Sequence, residues 1–250
     1  KELVAKNFSG IFFKDEENKA IDNFCTNILS CPSDERRLLI YLMGQAMLMK
    51  RPYNLFHRAN LSMRISKVQR SFGNAKTWER SFEELMIKLG RKLKDAPFYG
   101  PVGSATCVNT LELDDIASQP SLIYLDPPYL NAKALPVDYS GFYGFLNGLV
   151  DYEAFSTGGQ KYPHKPIGKL KSAWATPTGG LQEIERVAKR WPDAAIAISY
   201  RGDGLPTPDE LTSKLDALGF DVQKHSATSY KYALSKSFDT TEQLFLALRR

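Results

Sequence analysis

Residues 126–129, Asp-Pro-Pro-Tyr, place a carboxylate, two prolines and an aromatic ring directly after the apolar residues 123–125. The apolar run is typical of a buried strand. Two prolines end that strand and hold the following backbone rigid, because proline has a fixed φ and no N–H. Open α/β sheets bind ligands at the carboxyl ends of their strands. The order of these residues therefore predicts a reactive site at one edge of a sheet.

The chemistry that Asp126, Pro127 and Tyr129 could perform is methyl transfer to an exocyclic ring amine. Such an amine is a poor nucleophile because the ring delocalises its lone pair. Two acceptors around its N–H₂ group, the Asp126 carboxylate and the Pro127 carbonyl, would draw the nitrogen toward sp³ and aim the lone pair at a methyl donor. Tyr129 would stack on a base extruded from a duplex. The alternative interpretation is a strand-ending turn in which Asp126 faces solvent.

Residues 126–129 resemble motif IV of the amino-group methyltransferases that use S-adenosyl-L-methionine, in its adenine-specific form. The chain from about residue 105 to 250 resembles the class D12 adenine-specific DNA methyltransferases in the order and spacing of its elements, and residues 7–60 resemble them loosely. The resemblance implies S-adenosyl-L-methionine as cofactor and a flipped adenine in double-stranded DNA as substrate. It assigns the catalytic role to Asp126, Pro127, Pro128 and Tyr129.

Other parts of the resemblance concern the surroundings of the active site. Residues 198–200 fall where that family has the strand of its motif VI, beside the active site. Tyr230 and Tyr232 fall near its motif VIII, which borders the base pocket. Residues 139–152 look like the ordered loop after the catalytic motif, and residues 242–246 resemble the carboxyl end of the family.

One element of that family is not evident: the strand and glycine-rich turn that hold the methionine end of the cofactor. Residues 8–13 resemble the end of such a turn, but they contain a single glycine and follow no apolar strand. We expect a second polypeptide or an upstream segment to supply this motif, and the exposed strand edge of a half-sheet also favours a partner. By the resemblance, Glu112 or Asp114 contacts the adenine of the cofactor, with Asp126 beside it. The spacing does not choose between Glu112 and Asp114.

Residues 51–94 carry eleven lysines and arginines and three glutamates, so this segment is more basic than the whole chain, whose formal charge is +5. Lys and Arg neutralise phosphates and supply sequence-independent affinity for DNA, and polar or aromatic side chains add base contacts. The residues expected to bind DNA are Arg51, Asn54, His57, Arg58, Arg64, Lys67, Arg70, Lys76, Tyr139 and Tyr230. A solvated helical face is the alternative interpretation of the segment.

Composition and cysteine usage predict a soluble cytoplasmic enzyme. The 250 residues, 43% of them hydrophobic, can form one large domain or a domain with a subdomain. No apolar run reaches the ~18 residues that span a membrane, and no signal peptide is visible. Cys25, Cys31 and Cys107 lack CxxC spacing, which favours reduced thiols and argues against a zinc site. The three histidines also lack metal-ligand spacing, so we expect no metal.

Two helices have explicit start signals. Ser33 is a plausible N-cap, and residues 36–50 after it are apolar almost all round, so we expect this helix to be buried. Thr207, followed by Pro208 and Glu210, predicts a second helix start in the register of a capping box.

The fold class that we predict is α/β: a complete or partial Rossmann-like methyltransferase sheet, with a carboxyl-terminal antiparallel hairpin and a helical DNA-recognition subdomain. Residues 1–104 form the helical and basic recognition portion. Residues 105–250 form the catalytic portion, with a recognition loop over residues 131–178. The expected helices cover residues 18–29, 33–50, 77–94, 181–191 and 208–218, and the expected strands cover residues 105–111, 123–125, 194–200, 220–226 and 243–248.

The sequence thus predicts a DNA adenine-N6 methyltransferase of the kind found in restriction-modification, or its catalytic carboxyl-terminal half. A second possibility is a methyltransferase of another planar amine, such as cytosine N4 or a glutamine side chain. Those relatives more often carry Ser or Asn at position 126, which weighs against this second possibility. The third is a non-catalytic DNA-binding recognition subunit that has lost cofactor binding.

Overall fold

The structure is a computed structural model of the 250-residue chain. It describes residues 1–54, 56, 61–66, 75–96, 100–101, 103–108, 119–128, 130–131, 133–134, 139–157, 164–165, 167, 172–229 and 241–250. The chain forms two units, each built from two separate stretches of sequence. The helical unit is Lys1–Pro101 with Asp138–Leu170, and the sheet unit is Val102–Val137 with Lys171–Arg250.

The described part of the helical unit consists mainly of helices. Those that lie in the described residues are α1 (Leu3–Asn7), α2 (Asp15–Asn27), α3 (Ser33–Met49), α4 (Ala75–Glu79), α5 (Phe82–Lys94), α6 (Tyr139–Asn147) and α7 (Ala154–Thr157). The single helix expected over residues 77–94 is therefore wrong in one respect, since α4 and α5 are separate. The reason is Ser81, whose hydroxyl caps α5 by accepting a hydrogen bond from the Glu84 N–H at 3.0 Å.

Helix α3 forms as predicted, but only part of it is buried. Leu38 and Tyr41, in its first half, are each 50% exposed. Its buried residues are Leu42, Met43, Ala46 and Met47. The expectation of a wholly buried helix is wrong, because α3 buries only one stripe of its second half against the helical unit.

Phenylalanine rings form the centre of the helical unit. The Phe145 ring of α6 lies 4.9 Å from that of Phe8 and 5.0 Å from that of Phe56, measured between centroids. The Phe56 N–H also donates to the Phe142 carbonyl at 2.9 Å. Phe145, Leu149, Phe155 and Ile167 therefore belong to the core of this unit. The recognition loop expected over residues 131–178 stays a prediction. Helices α6 and α7 were not evident from the sequence, because residues 131–178 are rich in glycine and glycine lowers helix propensity.

The sheet unit contains, among the described residues, a four-stranded sheet in the order β1-β2-β4-β3. The strands are β1 (Leu122–Leu125), β2 (Ala195–Arg201), β3 (Phe220–Ser229) and β4 (Thr241–Arg249). β1 pairs with β2 in parallel, and β4 runs antiparallel to both β2 and β3. The mixed α/β class and the carboxyl-terminal antiparallel hairpin are confirmed.

The strand expected over residues 105–111 is not formed in its described part, residues 105–108. The side chain of Val108 is 55% exposed there, so burial does not hold this part against the sheet. Residues 109–118 lie outside the described residues.

Two helices cover one face of the sheet: α8 (Pro177–Arg190) and α9 (Pro208–Ala217). Their core with the strands consists of Ile184, Val187, Ala188, Trp191, Ala194, Ile196, Ile198, Tyr200, Leu211, Leu215, Phe220, Phe245 and Ala247. Side chains alternate along a strand, so the residues between these buried positions lie on the opposite face.

That opposite face is apolar and exposed. Leu122 and Tyr124 of β1 are 55% and 61% exposed, and Leu244 and Leu248 of β4 are 40% and 39% exposed. We call the surface defined by these four residues the open face. Parallel strands of α/β proteins are usually covered on both faces, and β1 is also an edge strand among the described strands.

The two helix starts in the sheet unit follow from local capping. The Thr207 hydroxyl accepts a hydrogen bond from the Glu210 N–H at 3.2 Å, and the Glu210 carboxylate accepts one from the Thr207 N–H at 2.6 Å, which confirms the predicted capping box. Helix α8 begins at Pro177, earlier than expected, because the Thr176 hydroxyl accepts a hydrogen bond from the Gly179 N–H at 3.1 Å. Within the described residues, no helix has both the length and the apolarity to cross a membrane.

Candidate functional site

The Asp-Pro-Pro sequence lies at the carboxyl end of β1, directly beyond the last residue that pairs in parallel with β2. Asp126 is exposed, Pro127 is buried and Pro128 is half-buried. Tyr129 lies outside the described residues. The expected position at the carboxyl end of a strand is confirmed, and the catalytic roles of these residues stay predictions.

The Asp126 carboxylate is exposed, and no described residue donates a hydrogen bond to it. This exposure fits both a ligand site and the alternative interpretation, a strand-ending turn in which Asp126 faces solvent. An ionised carboxylate accepts hydrogen bonds at both oxygens. Two open grooves in the described part of the chain, one lined by residues 1–3 and 5–6 and one lined by residues of α5 and Asp95, do not include Asp126.

The loop after β2, residues 201–206, lies beside the segment that follows β1. The Leu205 N–H donates to the Leu130 carbonyl at 3.2 Å, and the two residues form an antiparallel bridge. Leu130 is fully buried. The backbone is thus held on both sides of residues 126–129, by β1 before them and by this bridge after them.

An ion pair in this loop was not predicted. Arg201 Nε lies 2.6 Å from Asp203 Oδ1, and Arg201 Nη2 lies 2.8 Å from Asp203 Oδ2, which is a bidentate geometry. The hydrogen bond from Arg201 lowers the pKa of the Asp203 carboxyl group, so this group is ionised at neutral pH. The sequence signal for this ion pair was the spacing of Arg201 and Asp203, a basic and an acidic residue two positions apart directly after a predicted strand.

The residues expected at the cofactor are described only at Asp126, because Glu112 and Asp114 lie outside the described residues. Residues 8–13 connect α1 to α2, and their phenylalanines are buried in the helical unit. They follow a helix rather than a strand, so they do not form the cofactor turn that their sequence superficially suggests.

The glycines of the loop after β2 do not offer a cofactor turn either. A Cβ at Gly202 would lie 2.4 Å from Thr241 Oγ1, and a Cβ at Gly204 would lie 2.7 Å from Tyr200 Cε1. These glycines make room for side chains of the protein rather than for a ligand. Residues 8–13, Gly202 and Gly204 therefore do not form the turn that would hold the methionine end of S-adenosyl-L-methionine.

Two arginines expected at DNA are buried. Arg51 is 1% exposed and Arg64 is 8% exposed. The Arg51 guanidinium lies 4.9 Å from the Phe12 ring centroid and donates to the Phe12 carbonyl. Arg64 donates to both Glu17 oxygens at 2.5 and 2.8 Å. The structure corrects the assignment of these two residues, because partners inside the helical unit hold them away from a DNA surface.

The remaining DNA candidates fall into two groups. Those that are described and exposed are Asn54, Lys76 and Tyr139. Those outside the described residues are His57, Arg58, Lys67, Arg70 and Tyr230. Helix α5 adds the exposed cations Lys88, Arg91, Lys92 and Lys94, which belong to the same basic segment.

Glu17 joins two buried cations in the helical unit. Its Oε1 lies 2.8 Å from Lys50 Nζ, and its Oε2 lies 2.5 Å from Arg64 Nη1. Burial alone would raise the pKa of Glu17, but hydrogen bonds from Arg64 and Lys50 outweigh it and lower that pKa below its usual value. Both cations also donate to the Trp78 carbonyl, so this cluster stabilises the fold. No group of three or more His, Cys, Asp or Glu side chains that could hold a metal occurs among the described residues.

Comparison with known proteins gives one informative similarity. The chain is 27% identical over 230 residues to the Type II methyltransferase M2.HphI of Haemophilus parahaemolyticus, a match that covers 88% of this chain and 63% of that protein. The chain thus spans less than two thirds of the length of this relative. No family model matches the chain, and no solved structure matches it significantly. Because 88% of the chain is covered, the match spans position 126 and both units.

Proposed function

We propose that this chain is a DNA adenine-N6 methyltransferase, or the catalytic part of one, with a Rossmann-like sheet of which the four described strands are a portion. The observation that carries the proposal is the position of the Asp-Pro-Pro sequence directly beyond a parallel strand, with Pro127 buried. The similarity to a Type II methyltransferase supports the reaction class. An aspartate, rather than Ser or Asn, favours adenine over the other planar amines.

The chemistry assigned to this chain is activation of the amine. The Asp126 carboxylate and the Pro127 carbonyl accept hydrogen bonds from the two N–H groups of a flipped adenine and leave its lone pair directed away from the ring plane. Tyr129 stacks on the base. S-adenosyl-L-methionine supplies the methyl group, and the proton that the amine loses passes to water. No covalent intermediate with the protein is required, because the amine itself is the nucleophile.

We also propose that a second polypeptide or an upstream segment supplies the cofactor-binding motif. Two features of the sheet unit support this. The outer edge of β1 has no partner among the described strands, and unpaired edges favour pairing with another chain segment. The open face beside it, with Leu122 and Tyr124 more than half exposed, also calls for a cover.

The helical unit is the proposed DNA-binding part. Its exposed cations, which include Lys76 and those of α5, would contact phosphates and give an affinity that falls with salt. Asn54 and Tyr139 are exposed polar and aromatic side chains of the same unit, suited to contacts with bases.

The decisive experiment replaces Asp126. We expect Asp126→Ala, expressed from the native locus, to lower methylation of genomic DNA by about 100-fold or more, because one of the two acceptors is lost from the transition state. Mass spectrometry of digested DNA would identify the product as N6-methyladenine. DNA affinity should stay within about threefold, because phosphate contacts supply most of it. Asp209→Ala is the matched control, since that carboxylate is 98% exposed at the start of α9. Full methylation by Asp126→Ala would refute the proposal.

One observation favours a second candidate, a DNA-binding recognition subunit without catalysis. Residues 8–13, which superficially resemble the turn for the methionine end of the cofactor, follow a helix and do not form that turn. Calorimetric titration of S-adenosyl-L-methionine separates the two candidates. Binding by the chain, alone or with DNA and its copurifying partner, supports the enzyme, and no heat under any of these conditions supports the recognition subunit.

A further inference from the structure

The loop after β2 is built to hold one shape. Arg201 and Asp203 close it with their bidentate ion pair, in which the Arg201 side chain is 12% exposed and the Asp203 side chain is 40% exposed. The Gly202 N–H donates to the Thr241 carbonyl at 2.7 Å, and the Gly204 N–H donates to the Arg201 carbonyl at 3.2 Å. The loop is therefore tied to β4 as well as to itself.

Gly204 lies where this loop packs against the Tyr200 side chain of β2. A Cβ there would lie 2.7 Å from Tyr200 Cε1 and 2.9 Å from Arg201 Cγ. Tyr200 is fully buried in the core of the sheet unit, so its ring has little room to retreat. An added methyl group at Gly204 must push the loop outward.

The next residue of this loop is the one that contacts the reactive segment. The Leu205 N–H donates to the Leu130 carbonyl at 3.2 Å, and Leu130 directly follows residues 126–129. A displacement of the loop at Gly204 therefore reaches the carboxyl-terminal end of the segment that carries Asp126, while β1 still fixes the other end by its pairs with β2.

We infer that the 201–206 loop positions the Asp-Pro-Pro-Tyr segment, with Asp203 and Gly204 as positioning residues for methyl transfer. This inference rests on the proposed function. Asp203 acts by holding Arg201, and Gly204 acts by leaving the space into which the loop folds. Neither residue is assigned a contact with substrate or cofactor.

The test compares Gly204→Ala with Gly103→Ala, a matched control in the same unit whose added Cβ would meet nothing within 4 Å. For Gly204→Ala we expect kcat for DNA methylation to fall by about 10- to 100-fold, because small misplacements of catalytic groups cost that much. The KM values for DNA and cofactor should change by less than about threefold, since binding contacts are intact. Hydrogen exchange at the Leu205 amide should accelerate by at least about tenfold. A second comparison, Asp203→Asn against Asp209→Asn, adds no bulk to the loop. Asp203→Asn should also lower kcat while the KM values stay nearly unchanged.

The outcomes separate the inference from the proposed function. A wild-type chain that methylates no DNA defeats the proposed function, and exchange at Leu205 then still measures whether this loop holds the segment. Unchanged Leu205 exchange together with unchanged kcat in Gly204→Ala and Asp203→Asn overturns the inference. A loss of kcat/KM that accompanies a lower melting temperature, with KM changed as much as kcat, also overturns the inference. That pattern indicates general damage to the fold.

Discussion

The cations of residues 50–94 have two kinds of environment, buried and exposed, that their sequence does not distinguish. Lys50, Arg51 and Arg64 are buried among carbonyls, aromatic rings and the Glu17 carboxylate, whereas Lys76 is exposed. The same residue types alternate with the same apolar neighbours in both cases. The carboxylate that pairs with the buried cations lies far upstream in the chain, and local patterns carry no information about such distant partners.

The Glu17 cluster predicts a large effect of one isosteric substitution. Glu17→Gln removes the negative charge between Lys50 and Arg64 and leaves both cations buried without it. We expect the helical unit to lose about 3–5 kcal/mol of unfolding free energy, as for other buried pairs broken on one side. Urea unfolding, followed by hydrogen exchange in α2, would measure the loss. Glu16→Gln is the control, because that neighbouring carboxylate is exposed, and an equal loss in both variants would contradict the assignment.

The same cluster predicts acid sensitivity. The pKa of Glu17 in the folded chain lies below its unfolded value of about 4.5. Its contribution to stability is therefore fully present above about pH 4.5 and is lost as the pH falls through the lower, folded pKa. The stability difference between the wild type and Glu17→Gln should shrink over that acidic range. A difference that stays constant down to the acid unfolding of the chain would rule out this role for Glu17.

At the scale of elements, short-range signals predicted most of the sheet unit. The capping box of Thr207 with Glu210 fixed the start of α9, and the apolar runs located β1, β2 and the carboxyl-terminal hairpin. These signals involve residues close together in the chain, so they can be recognised in a single sequence. Helices α6 and α7 were not predicted, since they depend on burying Phe145 and Phe155 against residues at the other end of the chain.

Helix α6 offers a matched pair of glycine substitutions. A Cβ at Gly144 would lie 2.5 Å from the Ile167 carbonyl oxygen, a backbone atom, whereas a Cβ at Gly90 of α5 would lie 3.8 Å from Leu42 Cδ1. We expect Gly144→Ala to destabilise the helical unit by about 1–3 kcal/mol through overpacking. Gly90→Ala should stabilise it by about 0.5–1 kcal/mol, because alanine favours a helix interior. Melting temperatures measure both effects, and equal shifts of the same sign would argue against the close contact at Ile167.

At the scale of the whole molecule, the open face leads to a prediction about assembly. If a second polypeptide or an upstream segment covers that face, Leu122→Lys combined with Leu248→Lys should abolish methylation from the native locus, because lysine is costly to bury without a counter-charge. The isolated variant should keep its fold and bind less of an apolar fluorescent dye than the wild type, since both side chains are exposed. Ser213→Lys, at an exposed position of α9, which covers the other face of the sheet, is the control. Unimpaired methylation by the double variant would contradict the proposed cover.

The two units interleave along the chain, and this has a consequence for synthesis on the ribosome. Residues 1–101 emerge before Phe145 and Phe155, which follow β1 and belong to the same aromatic centre. The helices of residues 1–101 therefore stay incompletely buried until β1 and residues 126–129 have left the exit tunnel and Phe145 and Phe155 have followed. Contacts that join distant parts of a chain form late and slowly. A nascent chain stalled after residue 101 should accordingly be digested readily by protease, and one stalled well beyond residue 170 should be protected.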